Sequence, residues 1–424
     1  MNKIQKLVAR EVLDSRGNPT VEAEVHTSSS AWGRAIVPSG ASTGAAEACE
    51  LRDTLSPRYD GRGVLTAVAH VREQIAPVLL GLDPTDQLAV DRALRAIDPS
   101  PQKTVLGANA ILAASLAAAH AGAASKAVPL YRHLHDVVRQ IDPTAPECRM
   151  PRPMINMISG GLHAGGNLDF QDYLIMPDGA QSTAQALEWT VRVYRRLGQL
   201  LSDGGYEGRL VGDEGGFGPR MANNTDACDL LVRAIRAAGL REEVDVRLAL
   251  DVASTHFYHA PHYRLVATGG RDLTASELID YLSELVERFP ITSIEDPLAE
   301  DDWASWQQIT VRLGDRIRLV GDDLFTTSAV RLERGIAMRA ANAILIKVNQ
   351  IGTLSETLDT VRLARSAGYA FIVSARSGET EDTTIADLAV ATAADGIKIG
   401  SIVRSERLAK YNQLLRIAED LERN

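Results

Sequence analysis

Val-Gly-Asp-Glu-Gly-Gly, at residues 211–216, opens a series of charged motifs along the chain. Asp251, Glu295 and Asp322 follow, each at the end of an apolar run typical of a buried strand, and Lys347 ends the run Ala-Ile-Leu-Ile. Parallel strands that alternate with helices bring their carboxyl ends to one mouth of a barrel, where such folds place their chemistry. The series predicts that these side chains, that of Glu214 included, stand at strand ends and converge.

The chain beyond residue 150 alternates between strand-like and helix-like runs. The apolar runs predict strands at 151–158, 172–177, 246–252, 291–295, 317–322, 343–348, 370–374 and 396–399. Helical spacing predicts helices between most of them, for example at 274–288, 328–339, 353–367 and 404–421. This number and alternation predict an eight-stranded β/α barrel.

The first part of the chain has the pattern of a smaller α+β domain. Val21, Ala23 and Val25 alternate with polar residues, which predicts a half-buried strand. Apolar residues at helical spacing predict helices over 66–80 and about 85–97, before an alanine-rich third helix.

A cluster of four prolines between residues 143 and 153 favours an extended linker. We therefore expect an α/β protein with an N-terminal α+β capping domain at residues 1–135 and a catalytic β/α barrel at residues 143–424.

The composition excludes several classes of function. The 424 residues exceed the size of one hydrophobic core, which favours two domains. With 45% hydrophobic and 24% charged residues, the chain has the composition of an ordinary globular protein. A formal net charge of −10 argues against nucleic acid or an anionic membrane as the main partner.

Cysteine usage and the first residues indicate the compartment. Cys49, Cys148 and Cys228 show neither a CxxC motif nor a zinc-binding spacing, and their odd number suits a reducing environment. Residues 1–7 contain no apolar signal core. We expect a cytoplasmic protein.

The segment from Ala108 to Val128 is small, apolar and long enough to suggest a membrane span. It is rich in alanine rather than leucine, and polar residues such as Asn109 and Ser115 interrupt it. We expect a packed interior helix instead.

Three carboxylates at strand ends suit a Mg²⁺ site. Asp251, Glu295 and Asp322 each offer oxygen ligands, which Mg²⁺ prefers in near-octahedral geometry. Removing a proton beside a carboxylate creates a second negative charge, and a divalent metal stabilises that charge. Any one of these residues taken singly could instead be a capping or loop carboxylate.

Basic and hydroxyl groups at other strand ends are typical of anion binding. Burial beside a metal would lower the pKa of Lys347 and make it a usable base, although a surface lysine is the alternative. The turn Ser374–Glu379 carries an arginine and hydroxyl groups suited to a phosphoryl group. Lys398 can hold a carboxylate, and Ser39–Gly44 is either a mobile lid or a plain turn.

Over nearly its whole length the sequence resembles the enolase (phosphopyruvate hydratase) family. Motifs of that family occur in order at Glu11–Glu22, Ser39–Gly44, Gly107–Leu112, Gly212–Gly216, Ser293–Asp296, Val320–Leu324, Lys347–Gly352 and Arg376–Asp382. The resemblance implies an enolase-type barrel, a cytosolic homodimer or larger homo-oligomer, and a hydro-lyase that acts on a small phosphoryl carboxylate. It also implies two Mg²⁺ ions per active site.

The same resemblance implies roles for individual residues. Lys347 corresponds to the base that takes the C2 proton, and Glu214 to the acid that helps the C3 hydroxyl leave. Asp251, Glu295 and Asp322 correspond to the ligands of the family's first metal, and Ser42 to the lid residue that closes over the second metal with the substrate phosphate. Arg376 and Ser377 correspond to residues that bind the phosphoryl group, and Lys398 to the residue that binds the carboxylate. Further active-site positions of the family are matched by His163, Gln171 and Asp172.

Three positions depart from the family's pattern. Ala375 stands where the family has histidine, Asp172 where it has glutamate, and Ile399 where it has threonine. The base, the acid and the metal ligands are all retained, so we expect the three changes to lie beside the substrate. Ala375 counts among the substrate-contacting positions, because its methyl group next to Arg376 would open space at the phosphoryl group.

These departures favour a specialised hydro-lyase. We expect a 2-phosphoglycerate analogue with a carboxyl group on phosphorus, as in the enolase-like carboxyphosphonoenolpyruvate synthases of phosphinothricin-type antibiotic pathways. An ordinary glycolytic enolase that tolerates Ala375 stays open, as does a non-catalytic enolase-fold binding or scaffold protein. A scaffold, however, would have no reason to keep both Glu214 and Lys347.

Overall fold

The chain begins with an antiparallel sheet, in a computed structural model that describes residues 2–40, 44–267 and 269–423. Its strands pair in the order β1 (Ile4–Leu13), β2 (Pro19–Thr27) and β3 (Trp32–Ile36). The strand predicted around Val21 and Val25 is confirmed as β2, in which both valines are fully buried.

Helices cover one face of this sheet. Their bounds are α1 (Leu65–His70), α2 (Ala76–Leu79), α3 (Gln87–Ile97), α4 (Ala108–Lys126) and α5 (Leu130–Ile141), and a π-helical turn at Val71–Ile75 joins α1 to α2. Helix α4 packs directly on β3, because a Cβ atom at Gly33 would lie 2.1 Å from the backbone nitrogen of Ala121.

The alanine-rich segment forms α4, an interior helix with most of its residues buried, as expected. Within the described residues no single helix is both long and apolar enough to cross a membrane. Helices α4 and α5 reach that threshold only as a pair, and the pair is bent by 108°.

The second part of the chain forms a closed eight-stranded barrel with outer helices. Its strands are β4 (Arg152–Ser159), β5 (Asp172–Met176), β6 (Arg247–Asp251), β7 (Tyr258–His259), β8 (His262–Leu265), β9 (Arg271–Leu273), β10 (Ile291–Glu295), β11 (Arg318–Gly321), β12 (Ala343–Ile346), β13 (Ala370–Ser374) and β14 (Gly396–Gly400). The barrel order is β4-β5-β6-β10-β11-β12-β13-β14, and β7–β9 form a separate antiparallel sheet. The helices are α6 (Thr183–Asp203), α7 (Asn224–Ala237), α8 (Ala275–Arg288), α9 (Trp303–Leu313), α10 (Ala329–Met338), α11 (Leu354–Ser366), α12 (Thr384–Ala391) and α13 (Ser405–Arg423).

Side-chain caps set the starts of several outer helices. Thr274, Ser328 and Thr353 precede α8, α10 and α11, and each side chain accepts a hydrogen bond from a backbone N–H in the first helical turn. Such caps satisfy donors that have no partner inside the helix. The predicted helix bounds included these cap residues, so they begin one residue early.

One barrel strand runs against the others, and the prediction of purely parallel strands is wrong for it. Strand β5 pairs antiparallel with both β4 and β6, whereas the other neighbours pair parallel. The connection between β4 and β5 holds only the 3-10 turn Gly161–Ala164, and a parallel pairing needs a longer crossover. As a result Asp172, the first residue of β5, lies opposite Asp251, at the mouth where the predicted site residues lie.

Candidate active site

Alternation along the barrel strands aims the predicted site residues into the barrel. An inner apolar cluster contains Ala249, Val320 and Leu345. Residues two positions apart on a strand share a face, so Asp251, Asp322 and Lys347 point to the same side, one layer nearer the mouth. The same spacing sets Ser374 above Ile372 and Lys398 above Gly396. The side chains at these strand ends therefore converge at one mouth of the barrel.

Lys398 bridges two of the predicted metal ligands. Its Nζ donates to Asp251 Oδ2 and to Glu295 Oε2, at 2.7 Å each, and Gln171 Nε2 donates to the same Asp251 oxygen at 3.1 Å. Burial raises the pKa of Glu295, and the charge of Asp251 raises it further. Burial alone would lower the pKa of Lys398, but the two carboxylates outweigh it, so this pKa is raised well above its usual value.

Lys347 contacts the third predicted ligand, because its Nζ donates to Asp322 Oδ2. Burial lowers the pKa of Lys347, yet the Asp322 charge outweighs burial and the net direction is upward. This differs from the lowered pKa expected beside a metal. A divalent cation on Asp322 would take away the charge that raises it.

The carboxylates at this mouth fit a Mg²⁺ ion. Glu295 Oε1 is buried and has no hydrogen-bond partner among the described residues, and such an oxygen is satisfied by a cation. Together Asp251, Glu295 and Asp322 offer an all-oxygen donor set. Ser42, the predicted ligand of a second metal, lies outside the described residues.

A second group of carboxylates lies beside this one. Oxygens of Asp296, Asp322 and Asp323 come within 4.8 Å of one another. Asp296 accepts hydrogen bonds from the backbone N–H groups of Asp322 and Asp323, at 2.9 and 2.8 Å. Asp296 therefore fixes the loop that carries Asp322.

His163, Asp172 and Glu214 form a proton-holding group on the opposite wall. One ligand atom from each lies within 4.8 Å of the others. His163 Nδ1 donates to Asp172 Oδ2 at 2.9 Å, and Asp172 Oδ1 accepts from the side chains of Asn156 and Ser159. Burial lowers the pKa of His163, but Asp172 and Glu214 outweigh it and raise this pKa to about 9.

The Asp172 side chain is fully buried and does not border the cavity that the other site residues line. It faces His163 rather than the space for substrate. A role in holding and charging the imidazole therefore fits its contacts better than the predicted direct catalytic role.

We expect Asp172→Asn to lower the pKa of His163 from about 9 toward its ordinary value of about 6.5, because the charge that holds the proton is removed. Titration of ¹⁵N-labelled imidazoles by NMR measures this shift, and the half-exposed His26 serves as an internal control. Because the folded-state pKa is raised, the stability gained from this proton is full below about pH 6.5 and is lost as the pH rises through about 9. An unchanged His163 titration would contradict the assignment.

Glu214 does not stand at a strand end, so that part of the prediction is wrong. It lies in a tight loop closed by a hydrogen bond from the Gly212 N–H to the Gly216 carbonyl, 2.8 Å. Gly215 turns this loop with a φ of +92°, a conformation that glycine adopts without strain. A bridge between Phe217 and Ile158 places the loop beside the end of β4. A second bridge, between Phe217 and Val211, joins the two ends of the loop itself.

The charge state of Glu214 depends on its neighbours. Burial raises its pKa, but His163 and other cations outweigh burial and lower it. Glu214 Oε2 is buried without a hydrogen-bond partner among the described residues. In this arrangement the proton of the His163–Glu214 pair is therefore on the imidazole.

The anion-binding turn holds Arg376 and Ser377. The Arg376 guanidinium donates to Glu47 Oε2 at 2.9 Å and to Asn349 Oδ1 at 2.8 Å. Arg407, which is fully buried, donates to the backbone carbonyls of Arg376 and Ser377, both at 2.7 Å. Arg407 and Glu47 were not singled out in the sequence, because nothing in their local context predicts these contacts from distant segments.

Of the three departures from the family's pattern, only Ala375 borders the cavity. Its N–H donates to the Lys398 carbonyl at 2.8 Å, which fixes it at the end of β13. Ile399 is buried in the large apolar core, because its neighbour Lys398 points into the barrel and alternate residues point to opposite sides. Ile399 and Asp172, unlike Ala375, do not border this cavity.

The cavity at this mouth is small, with a volume of about 20 Å³. It is lined by His163, Gln171, Glu214, Asp251, Lys347, Ser374, Ala375, Arg376, Ser377 and Lys398. This volume holds about one water molecule. The ion pairs of both lysines and of Arg376 must therefore rearrange before a ligand larger than a water molecule can enter.

Family models match almost the whole chain. Residues 147–424 match the model described as enolase, C-terminal TIM barrel domain, and residues 4–134 match the model described as enolase, N-terminal domain. The first match spans the closed barrel, and the second spans the N-terminal sheet and helices α1 to α4 and ends within α5.

Proposed function

Because this chain belongs to the enolase family, we propose that it is a Mg²⁺-dependent hydro-lyase that converts a 2-phosphoglycerate-type substrate into a phosphoenolpyruvate-type product. The observation that carries this proposal is the common cavity wall of Lys347, Glu214, Lys398 and Arg376. These residues combine a base, an acid and cations for two anionic groups, which dehydration of a phosphorylated hydroxy acid needs. We also propose, from membership of this family, that the protein is a cytoplasmic homo-oligomer.

In the proposed reaction two side chains move protons. Lys347 takes the proton from C2, and the electron pair of the C–H bond moves into the substrate carboxylate. Mg²⁺ held by Asp251, Glu295 and Asp322 would supply positive charge against the second negative charge that forms there. That electron pair then returns to form the C2–C3 double bond as the C3–O bond breaks, and the hydroxyl leaves as water with a proton from Glu214.

In this proposal His163 passes the proton to Glu214. The imidazole is protonated at neutral pH because its pKa is raised to about 9. Asp172 accepts a hydrogen bond from His163 Nδ1 and so orients the ring. Lys398 would hold the substrate carboxylate, and Arg376 would hold the phosphoryl group.

We further propose that the substrate carries a carboxyl group on its phosphorus. Support comes from Ala375, a methyl group beside Arg376 at the cavity where the family has an imidazole. A cation is also near: Arg16 donates to Ser377 Oγ at 3.5 Å, and its buried Nε has no hydrogen-bond partner among the described residues. Arg16 lies in a stretch shared with the family, so Ala375 is the residue that would change the specificity.

Ala375→His is expected to raise turnover of 2-phosphoglycerate and to lower turnover of the carboxyphosphono analogue. The imidazole would refill the space beside Arg376 and exclude the added carboxyl group. We expect the ratio of the two kcat/KM values to change at least tenfold, about 1.4 kcal/mol. Steady-state kinetics with both substrates measures the ratio.

Ile399→Thr is the matched control for that experiment. It also restores the family's residue, but at a position that does not border the cavity, so the ratio should stay unchanged. If Ala375→His leaves the ratio at the wild-type value, the volume argument fails.

An ordinary glycolytic enolase is the second candidate. The retained set of Glu214, Lys347 and three strand-end carboxylates favours it, because nothing in that set depends on a group added to phosphorus. Faster turnover of 2-phosphoglycerate than of the carboxyphosphono analogue by the wild-type protein would favour this candidate. A scaffold protein predicts turnover of neither compound, together with no rise in melting temperature on addition of Mg²⁺ and substrate.

A further inference from the structure

A second cavity, of about 610 Å³, lies at the mouth of the barrel opposite the active site. Its wall includes the first residues of several parallel strands, namely Arg152 of β4, Arg247 of β6, Arg318 of β11, Ala370 of β13 and Gly396 of β14. The antiparallel strand β5 contributes its last residue, Met176. No residue of this wall belongs to the catalytic group described above.

Positive charge is concentrated around this cavity. Its wall contains five arginines, Arg149, Arg152, Arg247, Arg316 and Arg318, and three aspartates, Asp178, Asp315 and Asp395. The whole chain carries a formal net charge of −10, so the excess of arginine in this wall is opposite in sign to the charge of the chain as a whole. Such a site attracts anions.

Arg316 is paired with Glu287, but the aspartates leave much of the charge of the other four arginines available. Arg149 lies 3.9 Å from Asp395, and Arg152 lies 4.0 Å from Asp178, which are longer than hydrogen bonds. The exposed guanidinium of Arg318 has no hydrogen bond or ion pair within the described part of the chain.

The guanidinium of Arg247 donates to a backbone carbonyl, that of Glu243, at 2.9 Å and thus keeps its full charge. Arg247 begins β6 and Arg318 begins β11, with β10 between them. Neighbouring strands lie about 4.8 Å apart, so the two backbones are separated by roughly 10 Å. Two arginine side chains at that spacing can converge on one chain of phosphates.

The remaining wall is suited to an organic group. Met154, Met176 and Ile372 contribute apolar atoms to the wall; Met176 is partly exposed, and its thioether side chain can adapt to a flat ring. Asp178 Oδ1 is buried and accepts no hydrogen bond from the described residues, so it can accept one from a ligand hydroxyl. Phosphate, hydroxyl and ring recognition are therefore available in one cavity.

We propose that this cavity binds a nucleoside polyphosphate. Arg247 and Arg318 contact the phosphates, Asp178 accepts a hydrogen bond from a sugar hydroxyl, and the base lies on Met176. Arginine matches phosphate geometry with paired hydrogen bonds. The volume lies within the range of about 300–1,000 Å³ that is typical of small-molecule sites. This site is independent of the proposed dehydration.

Calorimetric titration of the full-length protein with ATP tests the proposal. We expect saturable binding to one site per chain, and at least a tenfold loss of affinity in the double variant Arg247→Ala/Arg318→Ala. The matched control, Arg233→Ala/Arg362→Ala, removes two exposed helix arginines outside the cavity and should keep the wild-type affinity. Arg318→Ala alone serves as a second variant, because its guanidinium makes no hydrogen bond or ion pair with the residues that the structure describes.

Several results would overturn the proposal. These are no binding at millimolar ATP, equal losses in the double variant and its control, or wild-type affinity in the double variant. Loss of binding in Arg376→Ala with retention in the double variant would move the ligand to the catalytic mouth. Inorganic triphosphate binding as tightly as ATP would exclude a contribution from the nucleoside.

Discussion

Lys347→Ala is expected to abolish exchange of the substrate's C2 proton with solvent and to lower dehydration by at least about 10³-fold, within the range for a lost general base. The side chain of Lys347, which directly follows β12, is 11% exposed, and no other lysine except Lys398 lines the described cavity. Lys398 is held by Asp251 and Glu295, so it cannot replace the base. Proton NMR in heavy water, with the substrate bound, measures the exchange.

Glu214→Gln is the contrasting variant for this experiment. It removes the acid but leaves Lys347, so exchange at C2 should stay measurable while dehydration is blocked. A rise in melting temperature with Mg²⁺ and substrate shows that each variant still binds. Equal exchange in the two variants would contradict the assignment of acid and base.

Lys398→Met is expected to destabilise the metal-free protein by about 3–5 kcal/mol, the usual cost of leaving buried charges without their partner. Asp251 and Glu295 are each only 2% exposed and share this one ammonium group. Mg²⁺ can neutralise the same two carboxylates, so it should raise the stability of the variant more than that of the wild type. Urea unfolding with and without Mg²⁺ measures both effects.

Lys126→Met provides the matched control for Lys398→Met. Lys126 pairs with Asp136 at 3.1 Å, but both side chains are partly exposed, so its loss should cost less than about 1 kcal/mol and should not respond to Mg²⁺. If Lys398→Met is as stable as the wild type, or if Mg²⁺ stabilises the two proteins equally, the buried charge cluster is misassigned.

The barrel and much of its charged mouth could be predicted from sequence because both depend on short-range patterns. The runs of buried apolar residues predicted both ends of every barrel strand to within two residues. The charged residues that follow three of these runs are Asp251, Glu295 and Lys347. Alternation then fixes which side of the strand such a residue faces. The alternation rule could also have predicted that Ile399, next to the inward-facing Lys398, points into the outer core.

The direction of β5 and the position of Glu214 could not be read in the same way. The direction depends on the length of the connection that follows β4, and the sequence of β5 itself is compatible with either pairing. The loop that carries Glu214 is closed by the hydrogen bond between Gly212 and Gly216, and the bridge of Phe217 to Ile158 attaches it to the distant strand β4.

Contacts between distant segments of the chain could not be predicted from local sequence patterns either. Glu47 reaches Arg376 from the N-terminal part of the chain, and Arg407 reaches the same turn from α13. The pairing of Asp172 with His163 depends on the fold of the β4–β5 connection, and it turns a predicted catalytic carboxylate into a positioning residue.

The central claim is an enolase-type dehydration with a preference for an enlarged phosphoryl group. Its most direct test is the ultraviolet absorbance of the product double bond, with purified protein, Mg²⁺ and either 2-phosphoglycerate or the carboxyphosphono analogue. The account predicts turnover of the analogue at rates normal for enzymes, about 1–1,000 s⁻¹, and much slower turnover of 2-phosphoglycerate. Faster turnover of 2-phosphoglycerate would contradict the substrate preference, and no turnover of either compound would contradict the dehydration itself.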